Sequence, residues 1–263
     1  MIITSRENGK YKFINSLKVK KNRTREKKFI LEGEKVIVES LELNGVVKEI
    51  AFSKSFFENS KNTDTVNSII NHKLEYSIFT DELFNKLSET MTPQGILAVC
   101  KSNLREVDTI LPFGRYILVD GLNDPGNLGG IIRSIDAFGL DGIIIGPGTV
   151  DPYNDKVIRS TMASIFRVLI YKMDSKEQIM DLKKLKFKIF SASLRKSVSI
   201  YEAELSDNFV LIIGNEANGV SEYLEDSSDE SISIPIIGDA ESLNANVAAS
   251  IFMYESTKQR GGK

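Results

Sequence analysis

The chain has 263 residues, 41% of them hydrophobic and 27% charged, which is enough apolar material for one large or two modest folded domains. No run approaches the roughly 18 uninterrupted apolar residues of a membrane span, and the first residues lack the apolar segment of a secretory signal. A single cysteine excludes an internal disulfide and any site built from several cysteines. We therefore expect a cytoplasmic protein with no membrane-spanning segment.

The basic residues of the chain are concentrated in one place. The net charge of −2 argues by itself against a nucleic-acid partner, but the distribution of charge matters more than its sum. Residues 18–28 read KVKKNRTREKK and carry seven basic side chains, namely Lys18, Lys20, Lys21, Arg23, Arg25, Lys27 and Lys28. Such a run predicts contacts with RNA phosphates, and a solvated loop without a ligand is an equally weighted alternative.

Histidine chemistry has little support in this sequence. The one histidine, His72, lies in the polar stretch IINHKLEYS, which is typical of a surface segment. A histidine-based catalytic triad or metal centre would need more such residues, so we expect no metal.

The first hundred residues alternate short strand-like and helix-like segments. Apolar runs predict strands at 29–31, 46–52 and 95–100, and helical periodicity predicts helices at 34–43 and 81–88. Thr80 is the expected cap of the second helix. We expect a small α/β domain over residues 1–101, followed by a polar linker over 102–112.

The second half of the chain, residues 113–263, has a more regular pattern. Apolar strand candidates alternate with helix-like stretches; they lie at 116–119, 142–145, 168–171, 187–191, 209–213 and 231–235. This alternation predicts a mainly parallel sheet with helices on both faces. Ligands bind such sheets at the carboxyl ends of the strands.

One block of sequence, VDGLNDPGNLGGIIRSIDAFG at 119–139, joins a strand to a helix. The strand is expected to end at Asp120, and Gly129 and Gly130 are expected to precede the helix. Small residues at a helix start admit an anion such as phosphate. By itself, the block is better explained as a structural turn followed by a solvated arginine, Arg133. The dinucleotide-binding glycine motif is missing, which disfavours a nicotinamide-dependent oxidoreductase.

Two further blocks follow in the same half of the chain. Residues 209–221 read FVLIIGNEANGVS, a buried strand that runs directly into a loop rich in backbone amides. Residues 231–255 read SISIPIIGDAESLNANVAASIFMYE, in which Ser242 is the expected cap of a helix. Asn244 and Asn246 are unusual polar residues for its first turn. Its apolar stripe is more often core or dimer interface than ligand site.

Together and in this order, the three blocks resemble the SpoU (TrmH-like) family of RNA ribose 2′-O-methyltransferases, whose SPOUT fold contains a deep trefoil knot. The matching motifs are N-L-G-G-I-I-R, G-N-E-A-N-G-V, S-I-P-I and S-L-N-A-N-V-A-A. This resemblance covers about residues 113–260. The first hundred residues resemble, more loosely, the ribosomal-protein-like RNA-binding domain often fused ahead of it, through KFILEGEKVIVESL and TPQGILAV.

The resemblance implies S-adenosylmethionine (AdoMet) as the methyl donor and assigns roles to individual residues. The expected cofactor-binding residues are Gly214, Ile234, Leu243 and Leu194. The expected polar catalytic set is Asn127, Arg133, Glu216 and Asn244, with Ser242 helping to shape the site. In the family the arginine is proposed to be the base. Because arginine is very hard to deprotonate, it could instead bind a phosphate and stabilise the developing alkoxide.

The resemblance also implies partners. We expect ribosomal RNA as the substrate; transfer RNA, and a non-catalytic RNA-binding protein of the same fold, are the alternatives. A homodimer is expected, with each site drawing on both chains and residues 243–254 as the interface helix. Two positions depart from the family pattern, since Asn246 replaces a small residue and Ala163 stands where glycine is common.

Overall fold

The computed structural model describes residues 2–43 and 45–261, which form two compact units. The first unit comprises the chain up to Asn103 together with Tyr153–Phe166. The second comprises Leu104–Pro152 and the chain from Arg167 onward. The sequence had placed all of 113–263 in one domain and 102–112 in a linker, so the structure differs in two places.

Tyr153–Phe166 belongs to the first unit because its aromatic rings pack there. The Tyr153 ring lies 4.8 Å from the buried Phe29 ring, and the Phe166 ring is 6.1 Å from it. The Tyr153 hydroxyl accepts a hydrogen bond of 2.8 Å from the Asn103 amide. Burial of such rings is a large stabilising contribution, and no local sequence pattern reports where a ring packs.

The expected linker contains a strand. Leu104–Glu106 forms strand β6, which pairs in parallel with strand β9 (Leu169–Lys172). All three side chains of β6 are exposed. An exposed edge strand has neither an apolar run nor a buried alternation, so its sequence is typical of a linker.

The first unit is a five-stranded mixed sheet with helices. Its strands are β1 (Ile2–Ile3), β2 (Lys28–Glu32), β3 (Val47–Ser53), β4 (Glu75–Phe79) and β5 (Ile96–Lys101). Its helices are α1 (Gly9–Ser16), α2 (Lys20–Glu26), α3 (Glu34–Leu41), α4 (Lys54–Glu58), α5 (Thr63–Asn71), α6 (Asp81–Leu87) and α8 (Asp155–Thr161), with 3-10 turns at Ser60–Asn62 and Ser164–Phe166. The strand order is β1-β4-β3-β5-β2, with β5 antiparallel to both neighbours.

The predicted elements of the first unit are present, with boundaries shifted by one or two residues. Most of the basic run, Lys20–Glu26, forms helix α2 rather than a loop. Thr80 does occupy the N-cap position of α6, but its side chain makes no capping hydrogen bond. His72 is exposed at the end of α5, where its Nδ1 lies 2.8 Å from the Ser68 carbonyl oxygen.

The second unit is an eight-stranded sheet in which every pair of neighbouring strands is parallel. Besides β6 and β9, its strands are β7 (Arg115–Val119), β8 (Gly142–Ile145), β10 (Lys188–Ala192), β11 (Val198–Ser199), β12 (Phe209–Ile213) and β13 (Glu230–Ser233). Its helices are α7 (Pro125–Phe138), α9 (Ile179–Lys184), α10 (Glu222–Asp226) and α11 (Ala245–Gln259), with 3-10 turns at Val107–Thr109 and Lys176–Gln178. The strand order is β11-β13-β10-β12-β7-β8-β9-β6.

The parallel α/β fold is confirmed, and all six predicted strands are present. The central strands β7, β8 and β12 are buried at every position, as expected for strands covered on both faces. The trefoil knot implied by the resemblance stays a prediction. Among the described residues no helix is both long and apolar enough to cross a membrane.

Two helix starts differ from the prediction. Helix α7 begins at Pro125, because the Asp124 side chain caps it by accepting a 2.7 Å hydrogen bond from the Asn127 amide. Gly129 and Gly130 therefore lie inside the helix instead of preceding it. Helix α11 is capped by Asn244, whose Oδ1 accepts from the amides of the first turn, so Ser242 lies before the cap.

Helices α7 and α11 pack side by side, in the same direction. At one end, Gly130 lies so close to Asn246 that a Cβ at Gly130 would be 2.4 Å from the amide nitrogen of Asn246. One turn further along, the hydroxyls of Ser134 and Ser250 are hydrogen-bonded at 2.8 Å. At the far end the rings of Phe138 and Tyr254 meet edge to face, 6.1 Å apart. The matched spacing of these pairs aligns the first turns of both helices.

Candidate active site

The loops at the carboxyl ends of β7 and β12 are tied together by a buried carboxylate. Asp120, which follows β7, is 3% exposed. One carboxylate oxygen accepts a 2.8 Å hydrogen bond from the Ser221 amide, and the other lies 3.1 Å from the Lys176 ammonium. Because the charge of Asp120 is paired and hydrogen-bonded, its burial is tolerated and both loops are held at one edge of the sheet.

Three of the four predicted catalytic side chains meet at this edge in one hydrogen-bonded relay. The Asn244 amide group donates from Nδ2 to Oδ1 of Asn127 at 2.9 Å. Asn127 in turn donates from its own Nδ2 to Oε1 of Glu216 at 2.9 Å. Each residue comes from a different block of the sequence, and this polar relay joins helix α11, helix α7 and the loop after β12.

The orientation of the Asn127 side chain is set at both of its ends. Its oxygen accepts from Asn244 and its nitrogen donates to a carboxylate, an arrangement that permits only one amide orientation. Its backbone amide is bound by Asp124, the cap of α7. The polar relay therefore has a fixed direction, from the first turn of α11 to the carboxylate of Glu216.

Glu216 is held in the ionised form. Its burial would raise the pKa of the carboxyl, but the hydrogen bonds it accepts outweigh this effect and lower the pKa below its ordinary value. These bonds come from the Asn127 side chain and from backbone amides, including those of Asp124 at 3.3 Å and Asn123 at 3.5 Å. A carboxylate with a lowered pKa is a weak base, so Glu216 acts as an acceptor that orients Asn127.

The loop that carries Glu216 is tight, and its first residue has to be glycine. A Cβ at Gly214 would be 2.0 Å from the carbonyl carbon of Gly219, closer than any real Cβ contact. Asn215 closes the loop, since its Oδ1 accepts from the Ala217 amide at 2.9 Å and its Nδ2 donates to the Gly121 carbonyl at 2.7 Å. Asn215 is not among the site residues predicted from the sequence, although a short polar residue after a strand in a glycine-rich loop is a usual sign of such a turn.

Arg133, the fourth predicted catalytic residue, does not join the polar relay. It is exposed on α7 and forms no hydrogen bond or ion pair with any residue that the structure describes. Six residues separate it from Asn127, which in a helix is about 9 Å of rise and about 120° of rotation. The guanidinium is therefore available to a ligand or to another chain.

A cavity of about 650 Å³ opens beside the polar relay. All four predicted cofactor-binding residues line it, namely Leu194, Gly214, Ile234 and Leu243. Glu216, Asn244 and Ser242 also border it, which places the relay at its rim. Glu225, which was not predicted from the sequence, also lines the cavity; it accepts a hydrogen bond from the Ser193 hydroxyl and lies 3.7 Å from Arg195.

The cavity suits AdoMet in size and in chemistry. Its volume lies within the roughly 300–1,000 Å³ of pockets that hold drug-sized ligands. Apolar walls from Ile213, Ile234 and Phe252 fit an adenine ring, and Gly214, which has no side chain, also lines the cavity. Glu225 and Arg195 supply charges of both signs, which suits a ligand that carries a sulfonium, an ammonium and a carboxylate. Among the described residues no cluster of His, Cys, Asp or Glu could hold a metal ion.

The predicted RNA-binding residues on and around α2 differ in their exposure to solvent. Lys20, Lys21, Arg25 and Lys27 are exposed, while Lys18 and Lys28 are half-buried. Arg23 is 9% exposed, and its guanidinium donates to the carbonyls of Leu17 at 2.9 Å and Lys18 at 2.7 Å. Arg23 thus anchors its own helix inside the unit, and the exposed four are the ones that can reach a phosphate.

Both halves of the chain are similar to known proteins. A family model described as the SpoU rRNA Methylase family matches residues 114–254, and one described as an MRM3-like substrate binding domain matches residues 8–98. The 23S rRNA (guanosine(2553)-2'-O)-methyltransferase RlmP of Bacillus subtilis (strain 168) is 34% identical over 252 residues, covering 96% of this chain and 97% of that relative.

Two solved structures with bound AdoMet are similar to the whole chain. An rRNA methyltransferase from Sinorhizobium meliloti has a TM-score of 0.85 at 26% identity, covering 98% of this chain and 97% of that one. The SpoU methyltransferase AviRb from Streptomyces viridochromogenes has a TM-score of 0.83 at 26% identity, covering 97% and 100%.

The parallel α/β sheet and its similarity to these solved methyltransferases identify a methyltransferase of the SPOUT class. The chain belongs to the SpoU rRNA methylase family. It is an enzyme with AdoMet as methyl donor. The prediction of family, fold class and cofactor is confirmed.

Proposed function

We propose that this protein methylates a ribose 2′-hydroxyl of 23S ribosomal RNA. The observation that carries the proposal is the hydrogen-bonded relay of Asn244, Asn127 and Glu216 at the rim of a cavity that suits AdoMet. The similarity to RlmP over nearly the full length of both chains supports a ribosomal substrate over a transfer RNA.

The chemistry needs an acceptor hydroxyl to be oriented and its developing negative charge to be stabilised. When bound, AdoMet supplies a methyl group activated by the adjacent sulfonium. A protonated guanidinium offers five donors in a planar fork, so Arg133 would bind the phosphate next to the reacting ribose and stabilise the alkoxide. The relay would position the first turns of α7 and α11, and Glu216 would orient Asn127. The proton of the 2′-hydroxyl would pass to water as the new oxygen–carbon bond forms and the carbon–sulfur bond of the donor breaks.

Arg133 would reach a reacting ribose in the site of a second copy of the chain. On α11 the predicted interface face is only partly covered by its own chain, since Val247 is 45% exposed and Tyr254, which contacts Phe138, is 58% exposed. Ile251, between them on the same face, is half-buried. A symmetric dimer would cover this stripe and bring each Arg133 towards the partner's relay.

The exposed cations of α2 would hold the RNA by its phosphates. Lys20, Lys21, Arg25 and Lys27 are exposed on the unit that resembles a substrate-binding domain, although Arg25 is also paired with Glu26 at 2.8 Å. Phosphate contacts position an RNA without reading its sequence and weaken as salt rises. These residues would therefore contribute affinity, while selection of the nucleotide would be made elsewhere.

The test is methyl transfer from isotope-labelled AdoMet to total RNA from a strain that lacks the gene, followed by mapping of the modified nucleotide. A 2′-O-methylated nucleotide in 23S rRNA is the expected product, and label in transfer RNA alone would refute the ribosomal assignment. In the same assay Arg133→Ala should abolish transfer while AdoMet binding, measured by calorimetry, is retained. A wild-type protein that binds RNA but transfers no methyl would identify a non-catalytic member of the fold.

A further inference from the structure

A second cavity, of about 260 Å³, lies in the first unit at the edge of the sheet where β3 and β4 end and β5 begins. Its lining is rich in neutral polar side chains, namely Ser53, Ser55, Asn59, Asn62, Asn85 and Gln94. Asp81 is the one charged residue among those that line it. The cavity is distinct from the AdoMet-sized cavity and from the exposed cations of α2.

The carboxylate of Asp81 already accepts a hydrogen bond from the Ser55 backbone amide, the donor that an anionic ligand would otherwise use in this cavity. One of its oxygens accepts a 3.0 Å hydrogen bond from the Ser55 amide at the start of α4. Hydrogen bonds from this amide and from the Ser55 hydroxyl lower the pKa of Asp81, so the cavity carries a fixed negative charge. A phosphate would be repelled, and a ligand with hydrogen-bond donors is favoured.

Two side-chain amides of the cavity accept a hydrogen bond through their oxygen and have a nitrogen donor that is not used within the described chain. Asn59 accepts from the Lys61 amide at 3.0 Å through Oδ1, which leaves its Nδ2 without a partner in the described chain. Gln94 accepts from the Glu34 amide at 2.8 Å through Oε1, and its Nε2 likewise has no partner among the described residues. Because backbone amides hold both groups, their donors are preorganised for a ligand.

Two further amides supply acceptors. Asn62 donates from Nδ2 to the Phe56 carbonyl at 3.1 Å, which leaves its Oδ1 available. Asn85 is exposed on α6 and makes no hydrogen bond within residues 2–43 and 45–261, so both ends of its amide are available. The cavity therefore presents donors and acceptors together, with apolar surface added by Phe56 and Pro93.

We propose that this cavity binds one unstacked base of the RNA substrate through the hydrogen-bonding edge of that base. The inference rests on the proposed function for the presence of RNA, and on the cavity itself for the mode of binding. A base edge carries donors and acceptors side by side and is neutral, which matches the amides and avoids the phosphate repulsion at Asp81. The cavity is just smaller than pockets for drug-sized ligands, which suits a single base.

A basic side chain from a protein partner fits the cavity less well. A lysine or arginine would pair with Asp81, but the donors of Asn59 and Gln94 would then face another donor. Those donors would lose their hydrogen bonds with water without replacement, which is unfavourable. The observations therefore favour an RNA base over a cationic peptide.

The test compares Asn85→Ala and Asn85→Phe with the matched control Asn71→Ala in the full-length protein. Asn85 and Asn71 are both exposed helical asparagines of the first unit, and only Asn85 lines the cavity. With unmodified 23S rRNA transcript as substrate, Asn85→Ala should raise KM about 3- to 10-fold with kcat unchanged, as loss of one or two hydrogen bonds predicts. Asn85→Phe, which fills the cavity, should raise KM further, and Asn71→Ala should match wild type.

A crosslinking measurement tests the cavity without relying on turnover. A transcript containing 4-thiouridine is irradiated with the protein, and nucleotide adducts are mapped by mass spectrometry. Adducts within 53–62, 81–87 or 93–95 that disappear in Asn85→Phe are expected. Wild-type KM for both Asn85 variants, or adducts that avoid these segments, would overturn the proposal. A wild type that transfers no methyl would refute the proposed function alone, because crosslinking still reports whether a base enters the cavity.

Discussion

Glu216 shows how a single charge can organise a site without acting as a base. Its carboxylate accepts hydrogen bonds from the Asn127 side chain and from two backbone amides of the loop before α7. Its role is therefore to hold these neighbours in place. Hydrogen bonds to a charged acceptor are about twice as strong as neutral ones, which makes the charge of Glu216 the property to test.

We expect Glu216→Gln to lower kcat about 10- to 100-fold, which corresponds to loss of one charge-assisted hydrogen bond of ~1.5–3 kcal/mol. The substitution keeps the size of the side chain, so the affinity for AdoMet, measured by calorimetry, should change less than threefold. A variant with normal kcat would remove Glu216 from the catalytic machinery.

The lowered pKa of Glu216 also predicts a pH dependence of stability. Because the pKa is lower in the folded than in the unfolded state, the ionised carboxylate stabilises the fold above the unfolded value of about 4.3. That contribution is lost as the pH falls through the folded-state pKa. The difference in free energy of unfolding between wild type and Glu216→Gln should therefore be constant from neutral pH to about 5 and shrink below it. Denaturant titrations at a series of pH values measure this, and a difference that grew on acidification would contradict it.

At the scale of secondary structure, the packing of α7 against α11 determines where the relay residues meet. Gly130 and Asn246 are in direct contact at the crossing, next to Asn127 and Asn244. Asn246 also has a buried Oδ1 with no hydrogen-bond partner among the described residues, so this contact is tight and incompletely satisfied.

Gly130→Ala should be destabilising by about 1–2 kcal/mol, although alanine favours a helix by up to ~1 kcal/mol over glycine. The added methyl group would lie 2.4 Å from the amide nitrogen of Asn246 and displace it. Shortening that side chain in the double variant Gly130→Ala, Asn246→Ala should recover the stability lost in Gly130→Ala. Thermal unfolding of both single variants and the double variant gives the coupling energy, and simple additivity would show that the two residues do not compete for space.

At the scale of the whole molecule, the separation of Arg133 from the relay makes the dimer a functional requirement of our proposal. Within one chain the backbone position of Arg133 lies about 9 Å along α7 from that of Asn127 and on another face of the helix. A site completed by a second copy would explain an exposed arginine without a partner in the part of the chain that the structure describes.

Subunit complementation tests this arrangement. Arg133→Ala and Glu216→Gln are each expected to be deficient in transfer. In a mixed dimer one of the two sites would contain an intact Arg133 and an intact Glu216, so a 1:1 mixture should recover about a quarter of wild-type activity for a symmetric dimer at random assortment. Co-expression with two affinity tags isolates the mixed species. A mixture no more active than its components would place Arg133 in the site of its own chain.

Much of the fold was predictable from the sequence because its signals are local. Buried parallel strands such as β8 and β12 are continuous apolar runs, and their predicted bounds match the structure residue for residue. Motif resemblance likewise identified the family, the cofactor and the residues that line the AdoMet-sized cavity. The exposed edge strand β6 lacked an apolar signal, and its assignment to a linker followed from that.

Tertiary structure alone decided which of those residues touch. The hydrogen bonds from Asn127 to Glu216 and from Asn244 to Asn127 span 89 and 117 positions of sequence, and no periodicity reports such contacts. Packing between distant segments also determines three other features. These are the burial of Arg23, the position of Tyr153–Phe166 in the first unit and the second cavity, beside Asn85. Composition and periodicity predict whether a residue is buried or exposed within its own helix or strand. A site, in contrast, is formed by segments distant in sequence, which come together only when the core packs.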